Sequence, residues 1–347
     1  MGTLAEMLST PLGVIEWFVY LLAAVMFVIG LHLMNSPKTA RKGNMVSAIG
    51  MVFAVAMAFI VLFAGEASNG FKHGVAVIVL IVGIVIGAVA GVVSAKKVKM
   101  TDMPQLVSVF NTVGGGAAAL VALNDILTSA ETPSIVVLIT AGLGIMIGSV
   151  TFSGSLIAAG KLQGIKWVKK LSLPGKGFWN ILFVVLTIVS FVMLCVQPNQ
   201  RLLWSILTTV FALCYGLVFV IPIGGADMPV VISVLNACTG TAVAMSGLAI
   251  NNIALIVAGA LVGAAGVTLS IAMSKAMNRP LLSVLAGGFG GSNAAAGAGE
   301  GPEGTMKETS ADDLAVQLVY AEKVIFVPGF GLAQAQAQRE LADLGTL

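Results

Sequence analysis

The architecture of this chain follows from residues 226–291, which begin ADMPVVISVLNACTG, continue through LIVAGALVGAAGVTLSIAMSKAMNRP and end LLSVLAGGFGG. The stretch holds two apolar segments of membrane-spanning length, since a helix needs roughly 20 apolar residues to cross a bilayer. Asp227 stands at the entrance of the first segment, and Asn236 lies about two and a half helical turns further in. A basic exit follows at Lys275 and Arg279. The stretch therefore predicts two neighbouring membrane helices followed by a hinge.

The composition places the whole chain in a membrane. Of its 347 residues, 58% are hydrophobic and only 10% are charged, whereas a soluble domain carries about a quarter charged residues. The net charge is only +3 and the basic residues lie in short loops, so no nucleic-acid partner is expected. The cysteines lie in apolar runs and match no zinc or redox spacing, so no metal site is expected.

Nine apolar segments are long enough to span the bilayer, and each is bounded by charge, Pro, Asn or Gly. They cover residues 13–34, 45–65, 73–94, 104–124, 133–158, 178–197, 202–222, 228–249 and 252–273. The predicted fold class is therefore an all-α polytopic membrane protein with about nine transmembrane helices, followed by a linker and the start of a smaller unit.

Loop charge predicts how these spans are oriented. Lysines and arginines concentrate after spans one, three and five and at the exit of span nine. The loops after the even-numbered spans offer only Lys72 and Arg201. Because basic loops stay in the cytoplasm, the N-terminus is expected outside and the long C-terminal tail in the cytoplasm.

Polar side chains recur at depth in spans four, five and eight, among them Asn111, Ser155 and Asn236. No acidic or basic side chain sits at mid-membrane in these spans, so a carboxylate relay of the pump kind is not expected. Amides and hydroxyls in hydrocarbon need partners. Two interpretations stay open: interhelical bonds that hold the bundle, or a water-filled path ordered by these groups. Glycines of the last span, Gly266 especially, either pack helices closely or let one bend.

The chain changes character after Pro280. Residues 286–309 are rich in Gly, Ala, Ser and Glu and too poor in apolar residues to pack, which predicts a flexible linker or hinge. Residues 310–322 then predict a helix. The segment KVIFVPGFG (323–331) predicts a buried strand running into a glycine turn, with another helix after it.

A strand, the turn Gly329-Phe330-Gly331 and a helix make the opening of a dinucleotide-binding βαβ unit, whose glycines allow close approach to a pyrophosphate. A lone GxG also fits a tight strand-to-helix connection, and that alternative stays open. The sequence ends after one strand and one helix, so an incomplete Rossmann-like domain is expected. The expected divisions are a transmembrane domain (1–285), the linker (286–309) and the beginning of a nucleotide-binding domain (310–347).

Several motifs resemble one family over nearly the whole chain. TDMPQLVSVFNTVGGGAAAL (101–120), TFSGSLIAAGKLQG (151–164), ADMPVVISVLN (226–236) and the run from ALVGAAG to KAMNRP (260–280) resemble the membrane domain of the β subunit of proton-translocating NAD(P) transhydrogenases. VPGFGLAQAQAQ (327–338) resembles the start of that subunit's NADP(H)-binding domain, commonly written PGYGMAVAQAQ.

The resemblance implies a function for the chain. Such enzymes pass a hydride between NAD(H) and NADP(H), and proton movement through the membrane drives the transfer towards NADPH. The chain is expected to be a subunit of this Re/Si-specific oxidoreductase and translocase, inactive alone. NAD(H) would lie on a partner α subunit, and NADP(H) on a site only begun in this chain. A dimer of the α/β unit in the bacterial inner membrane is expected.

The resemblance also assigns residues. Asn236 takes the position of a polar residue in the family's proton path, Asp227 that of an acid facing the cytoplasmic domains, and Ser155 that of a hydroxyl beside the path. Gly266 matches a glycine on the last span, with a role in helix flexing and coupling. Asn111 stands where some members have a titratable histidine, so protonation must be handled elsewhere or by water.

The cofactor turn is assigned in the same way. Gly329 and Gly331 match the NADP pyrophosphate turn, and Gln334 replaces the small apolar residue usual at its position. No residue of this chain is expected to act as acid or base in the hydride transfer.

Two other functions remain as alternatives. A secondary transporter or ion channel would bind a solute between glycine-broken helices at mid-membrane and would have no nicotinamide chemistry. A proton-translocating membrane piece without catalysis is the third possibility, because the later nucleotide-binding motifs have no counterpart here.

Overall fold

The computed structural model describes residues 10–64, 70–129, 133–166, 168, 175–286, 311–329, 332 and 337–346. Within these ranges nine helices are long and apolar enough to cross a membrane, which confirms the predicted fold class. They are numbered α1 to α9 in chain order: Pro11–Met34, Ala40–Ala64, Gly70–Lys97, Met103–Thr128, Ile135–Leu162, Lys176–Val196, Arg201–Val220, Met228–Ala249 and Ile253–Ala276.

Side-chain caps explain where several of these helices begin. Thr10, Ser134 and Asn252 each accept a hydrogen bond from the backbone N–H three residues on, at the starts of α1, α5 and α9. Such a cap satisfies one of the N–H groups that a helix start leaves without a partner. The three helices start on the same side of the bundle, because successive spans alternate in direction.

Helix α8 is the centre of the bundle. In its most apolar stretch of 18 residues, 61% of the residues are buried, the largest share among the nine helices. Helix α8 packs against α4, α5 and α9. Helix α7 packs on α5 and α6, while α1 pairs with α2 and also contacts α9. Helix α3 lies at the other extreme, with no residue of its most apolar window buried. Helix α8 is therefore the most buried of the nine helices, and α3 is the most exposed.

Helices α4 and α8 start in the same way. Each follows a short 3₁₀ turn that ends in an aspartate, Asp102 or Asp227, and each has a proline in its first turn. The segments 101–111 and 226–236 share Asp, Met, Pro, Ser, Val and Asn at matching positions. The hairpins α4–α5 and α8–α9 thus begin as two copies of one pattern, running in the same direction.

After α9 the chain turns and forms the short helix α10 (Leu281–Ala286). Asn278 adopts a positive φ of 53°, and Pro280 follows before α10 begins. Val284 of α10 is only 2% exposed and belongs to an apolar cluster with residues of α5, α7 and α8. The hinge after the last span is therefore packed onto the bundle, and residues 287–310, which cover nearly all of the predicted linker, lie outside the described residues.

The tail belongs to a second compact unit, residues 295–347. Its described part contains the helices α11 (Ala311–Val319) and α12 (Gln338–Leu344). The strand predicted at 323–331 is not formed over 323–329, which have no regular secondary structure. A strand exists only through ladder hydrogen bonds to a neighbour, and the described tail contains no second strand. The start of a Rossmann-like unit therefore stays a prediction.

Candidate functional site

The polar side chains predicted at depth lie near the centre of the bundle, on α4, α5 and α8, and Gly266 lies beside them on α9. They lie in the halves of these helices that share one side of the membrane, where α4 and α8 begin and α5 and α9 end. Asn236 is eight residues past the first residue of α8, which places it about 12 Å along the helix. The candidate site is thus a polar zone between that membrane surface and mid-membrane.

Asn111 joins α4 to α8. Its side chain is 4% exposed, and its Nδ2 donates a hydrogen bond to the carbonyl oxygen of Ile232 at 3.2 Å. Ile232 lies four residues before Asn236, so its carbonyl is the one that the backbone N–H of Asn236 uses in the helix. Asn111 is therefore fixed one turn away from Asn236, whose side chain is half-buried.

Ser155 on α5 has a buried hydroxyl. The residue is 0% exposed, and its Oγ has no hydrogen-bond partner among the described residues. Its backbone carbonyl accepts a hydrogen bond from the Oγ of Ser108 at 2.7 Å. A buried hydroxyl without a partner is unfavourable unless water satisfies it.

Gly266 lies where α9 crosses α8. A Cβ at this position would come within 2.7 to 2.9 Å of the backbone N, the Cα and the Cβ of Ala237. The carbonyl oxygen of Gly266 accepts hydrogen bonds from Ser270 at 2.7 Å and from Ser233 at 3.2 Å, and the two hydroxyls are 3.0 Å apart. The glycine therefore permits a close helix crossing that two serines reinforce, and its predicted role in flexing is not tested by this geometry.

Asp227 forms an ion pair with Arg279 at the membrane surface. The Nη1 of Arg279 lies 2.6 Å from Oδ1 and 2.8 Å from Oδ2 of the carboxylate, and the two side chains are 17% and 33% exposed for Asp227 and Arg279 respectively. The backbone N–H and carbonyl of Arg279 both bond Ser274 of α9. The start of α8 is thereby tied to the turn that leaves α9.

Lys161 fixes the turn that precedes Asp227. Its Nζ donates hydrogen bonds to the carbonyls of Val220, Ile221 and Ile223, at 3.2 Å for the first and 2.9 Å for the last. The carbonyls at a helix C-terminus have no partners within the helix, and a lysine there satisfies them and opposes the helix dipole. The ammonium of Lys161, at the end of α5, thus caps the C-terminus of α7 and stabilises the turn that follows it.

We expect Lys161→Met to lower the free energy of unfolding in detergent by about 1–3 kcal/mol, because it leaves buried carbonyls without a donor. The measurement is the midpoint of a denaturant titration. Lys166→Met is the matched control, because Lys166 follows the same helix in the chain and is exposed. Equal midpoints for the two variants would contradict the assigned role.

The structure brings together four of the sequence-predicted residues, Asn111, Ser155, Asn236 and Gly266, on four adjoining helices. Asp227 lies at the end of this zone. Sequence reasoning treated Arg279 only as a basic exit and missed Lys161 as a partner of α7. The matching Asp-Met-Pro starts of α4 and α8 were an available signal that the two helix starts share a side of the bundle.

The predicted nucleotide turn is described only in part. Gly329 is exposed, no heavy atom lies within 4 Å of where its Cβ would be, and its carbonyl accepts a hydrogen bond from the N–H of Leu332 at 3.1 Å. Gly331 and Gln334 lie outside the described residues. The role of Gly329 in binding a pyrophosphate stays a prediction. Within the described ranges no cluster of His, Cys, Asp or Glu suits a metal ion.

Comparisons with known proteins converge on one family. The model of the family described as "NAD(P) transhydrogenase beta subunit" matches residues 16–347. A protein named NAD(P) transhydrogenase subunit beta from Rhodospirillum rubrum is 41% identical over 337 residues, which cover 94% of this chain and 70% of the relative. The subunit of the same name from a designated strain of that organism gives the same identity and coverage.

Proposed function

The chain belongs to the NAD(P) transhydrogenase beta subunit family, and on that premise we propose that it supplies the proton path and the beginning of the NADP(H) site of a membrane transhydrogenase. The enzyme would pass hydride between NAD(H) and NADP(H), with Re/Si stereospecificity, and couple that transfer to proton translocation. The observation that carries the proposal is the convergence of Asn111, Ser155 and Asn236 on adjoining core helices of a chain in this family.

The proton path would run through water held between α4, α5, α8 and α9. The partnerless hydroxyl of Ser155 supports an ordered water, and the half-buried amide of Asn236 would offer that water both a donor and an acceptor. Asn111 already donates to the carbonyl of Ile232, so its main part would be to hold α4 against α8 beside the path. Because no amide titrates, protons would move along water.

Coupling would use the exit from α9. Proton binding drives a reaction only if it favours one arrangement of the soluble part over another. Arg279 and the helix α10 lie on the segment of chain that leads from α9 towards the tail. Asp227, at the start of α8, binds Arg279 there. We propose that the pair transmits the state of the path to the nucleotide domain, and that Gly266 sets the crossing of α8 and α9 on which the pair depends.

NADP(H) would be held through its pyrophosphate at Gly329 and Gly331, where the backbone approaches closely. When bound, its nicotinamide accepts or gives the hydride, and this chain need only position it. NAD(H) would be carried by a partner α subunit, in a dimer of the α/β unit. The chain by itself would therefore not catalyse hydride transfer.

The proposed placement is the bacterial inner membrane, with the N-terminus outside and the tail in the cytoplasm. The distribution of basic residues supports this orientation, since Lys161, Lys275 and Arg279 all lie on the side where the odd-numbered spans end. Nothing in the described bundle favours a solute transporter, and the family points to nicotinamide chemistry.

We expect Asn236→Ala to lower proton-linked hydride transfer about tenfold, because losing one hydrogen bond to the water chain raises the barrier by roughly 1.4 kcal/mol. Folding should be unaffected, since the side chain is half-buried and a small residue fits there. The test is NADP⁺ reduction by NADH in energised vesicles containing the assembled enzyme.

The matched control is Thr268→Val on α9. The Thr268 hydroxyl bonds only the carbonyl of Ala264 in its own helix, and its side chain is exposed. Thr268→Val should keep the wild-type rate of proton-linked hydride transfer. Wild-type coupling in Asn236→Ala would remove Asn236 from the path, and an equal loss in both variants would point to a general effect on the bundle.

A further inference from the structure

A second polar region lies outside the proton path, at the membrane surface beside α3. It is a cavity of about 700 Å³ between the end of α3, the start of α4 and the end of α5. Its polar lining comes from Ser94, Lys97, Asp102, Gln105 and Gln163. Apolar side chains complete the wall: Val98, Leu106, Val109 and Leu162.

Two opposite charges face this cavity without pairing. Lys97 and Asp102 both line it, yet the salt bridge among the described residues is the one between Asp227 and Arg279. The Oε1 of Gln105 is buried and has no hydrogen-bond partner in the described part of the chain. A buried acceptor without a donor is unfavourable, and here it lies three residues from the acid. The cavity therefore offers a carboxylate, that of Asp102, on one side and a cation, Lys97, on the other.

The hairpin α8–α9, which begins with the same pattern as α4–α5, shows which partner the aspartate binds when the chain itself supplies one. Asp227 is the counterpart of Asp102 and receives a guanidinium from the exit of α9. After α5 the equivalent exit contributes Gln163, which carries no charge. The counterpart of Gln105 is Val230, which is 0% exposed in the apolar cluster. The first copy thus keeps the acid, adds a buried acceptor and lacks the internal cation.

Helix α3, one wall of the cavity, is left uncovered by the described part of this chain, since no residue of its most apolar stretch is buried. We expect acyl chains of the bilayer to lie along this exposed apolar surface. The cavity also lies at the level of the basic residues Lys96, Lys97 and Lys99, where lipid head groups are found. A head group with acyl chains along α3 would fill both the polar and the apolar parts.

We propose that this cavity binds the phosphoethanolamine head group of a phospholipid. The ammonium would donate to the carboxylate of Asp102, and the phosphodiester would accept from Lys97. Phosphatidylglycerol has no cation for Asp102. A choline head group has no N–H to donate, and the lining contains no aromatic side chain of the kind that binds quaternary ammonium. The proposal is independent of the proton path.

The test is native mass spectrometry of the delipidated, assembled enzyme with dioleoyl phosphatidylethanolamine, phosphatidylglycerol or phosphatidylcholine added separately. Wild type should retain phosphatidylethanolamine roughly three- to fivefold better than either other lipid, the range expected for partly exposed ion pairs. Asp102→Asn should abolish the preference over phosphatidylglycerol, and Lys97→Gln should weaken retention of all three lipids, because each carries a phosphodiester. Soluble phosphoethanolamine at the same concentration should compete poorly, because it lacks the acyl chains.

Lys96→Gln is the matched control, since Lys96 lies in the last turn of the same helix, is exposed and does not line the cavity. It should bind as wild type does. Equal retention of the three lipids by wild type would overturn the proposal, and so would a preserved preference in Asp102→Asn. If soluble phosphoethanolamine competed as strongly as phosphatidylethanolamine does, the proposal that the head group comes from a lipid would be wrong.

Discussion

Replacing Gly266 by alanine should lower proton-linked hydride transfer by at least about tenfold, because the added methyl group forces α8 and α9 apart. Overpacking of this kind costs about 1–3 kcal/mol. The methyl would meet the backbone N and Cα of Ala237 at 2.7 and 2.8 Å. Backbone atoms of a core helix do not yield as a flexible side chain would. The hydroxyl of Ser233 on α8 would also lose its acceptor on α9, the carbonyl oxygen of residue 266.

The measurement compares two activities of the same preparation. Hydride transfer driven by a proton gradient in vesicles should fall, and so should the thermal midpoint of the solubilised enzyme. Gly83→Ala on α3 is the matched control, because no heavy atom lies within 4 Å of the position of its added Cβ. It should match wild type in both measurements. An active and stable Gly266→Ala would show that α8 and α9 tolerate a wider crossing than the structure has.

The result also separates the two interpretations of the glycines. If Gly266 serves the close crossing alone, activity and stability should fall together. If it also allows α9 to flex, serine or alanine at this position should reduce gradient-driven transfer more than stability. The crossing is not set by Gly266 alone, since Gly240 and Gly263 also bring the two backbones together. This surface of small residues is typical of helices that associate in lipid by backbone contact.

The fold was predictable from sequence because the spans are decided by composition alone. Nine long apolar segments have no other stable place than a bilayer, and each predicted segment overlaps one observed helix. The strand at 323–331 was not predictable in the same way. A strand depends on partners elsewhere in the chain, and residues 323–329 meet none in the described tail.

The candidate site was predictable as a set of residues and not as a set of contacts. Buried amides and hydroxyls stand out in an apolar sequence, so Asn111, Ser155 and Asn236 could be named. Their partners could not, because the carbonyl of Ile232 and those at the end of α7 belong to the backbone and leave no mark on residue type. Lys161 illustrates this limit, since its function depends on the neighbouring helix and not on its own segment.

Breaking the ion pair between Asp227 and Arg279 should lower gradient-driven transfer about tenfold in either single variant, Asp227→Asn or Arg279→Gln, because a partly buried two-point contact to a carboxylate is worth roughly 1–3 kcal/mol. The pair joins the start of α8 to the turn that leaves α9. Without it, the hinge should respond less to the state of the path. Hydride transfer in detergent, where no gradient exists, should fall much less.

The double variant decides whether the two residues act as one unit. If they do, Asp227→Asn with Arg279→Gln should cost about as much as either single change, with a coupling energy near 1–2 kcal/mol. Losses that simply add would mean that each residue serves the enzyme separately. Lys275→Gln is the control for loss of positive charge, because Lys275 ends α9 and is exposed. Lys275 and Arg279 contribute to the same basic surface. If Lys275→Gln keeps the wild-type rate of gradient-driven hydride transfer, the loss in the Arg279 variant is due to the broken ion pair and not to the lost positive charge.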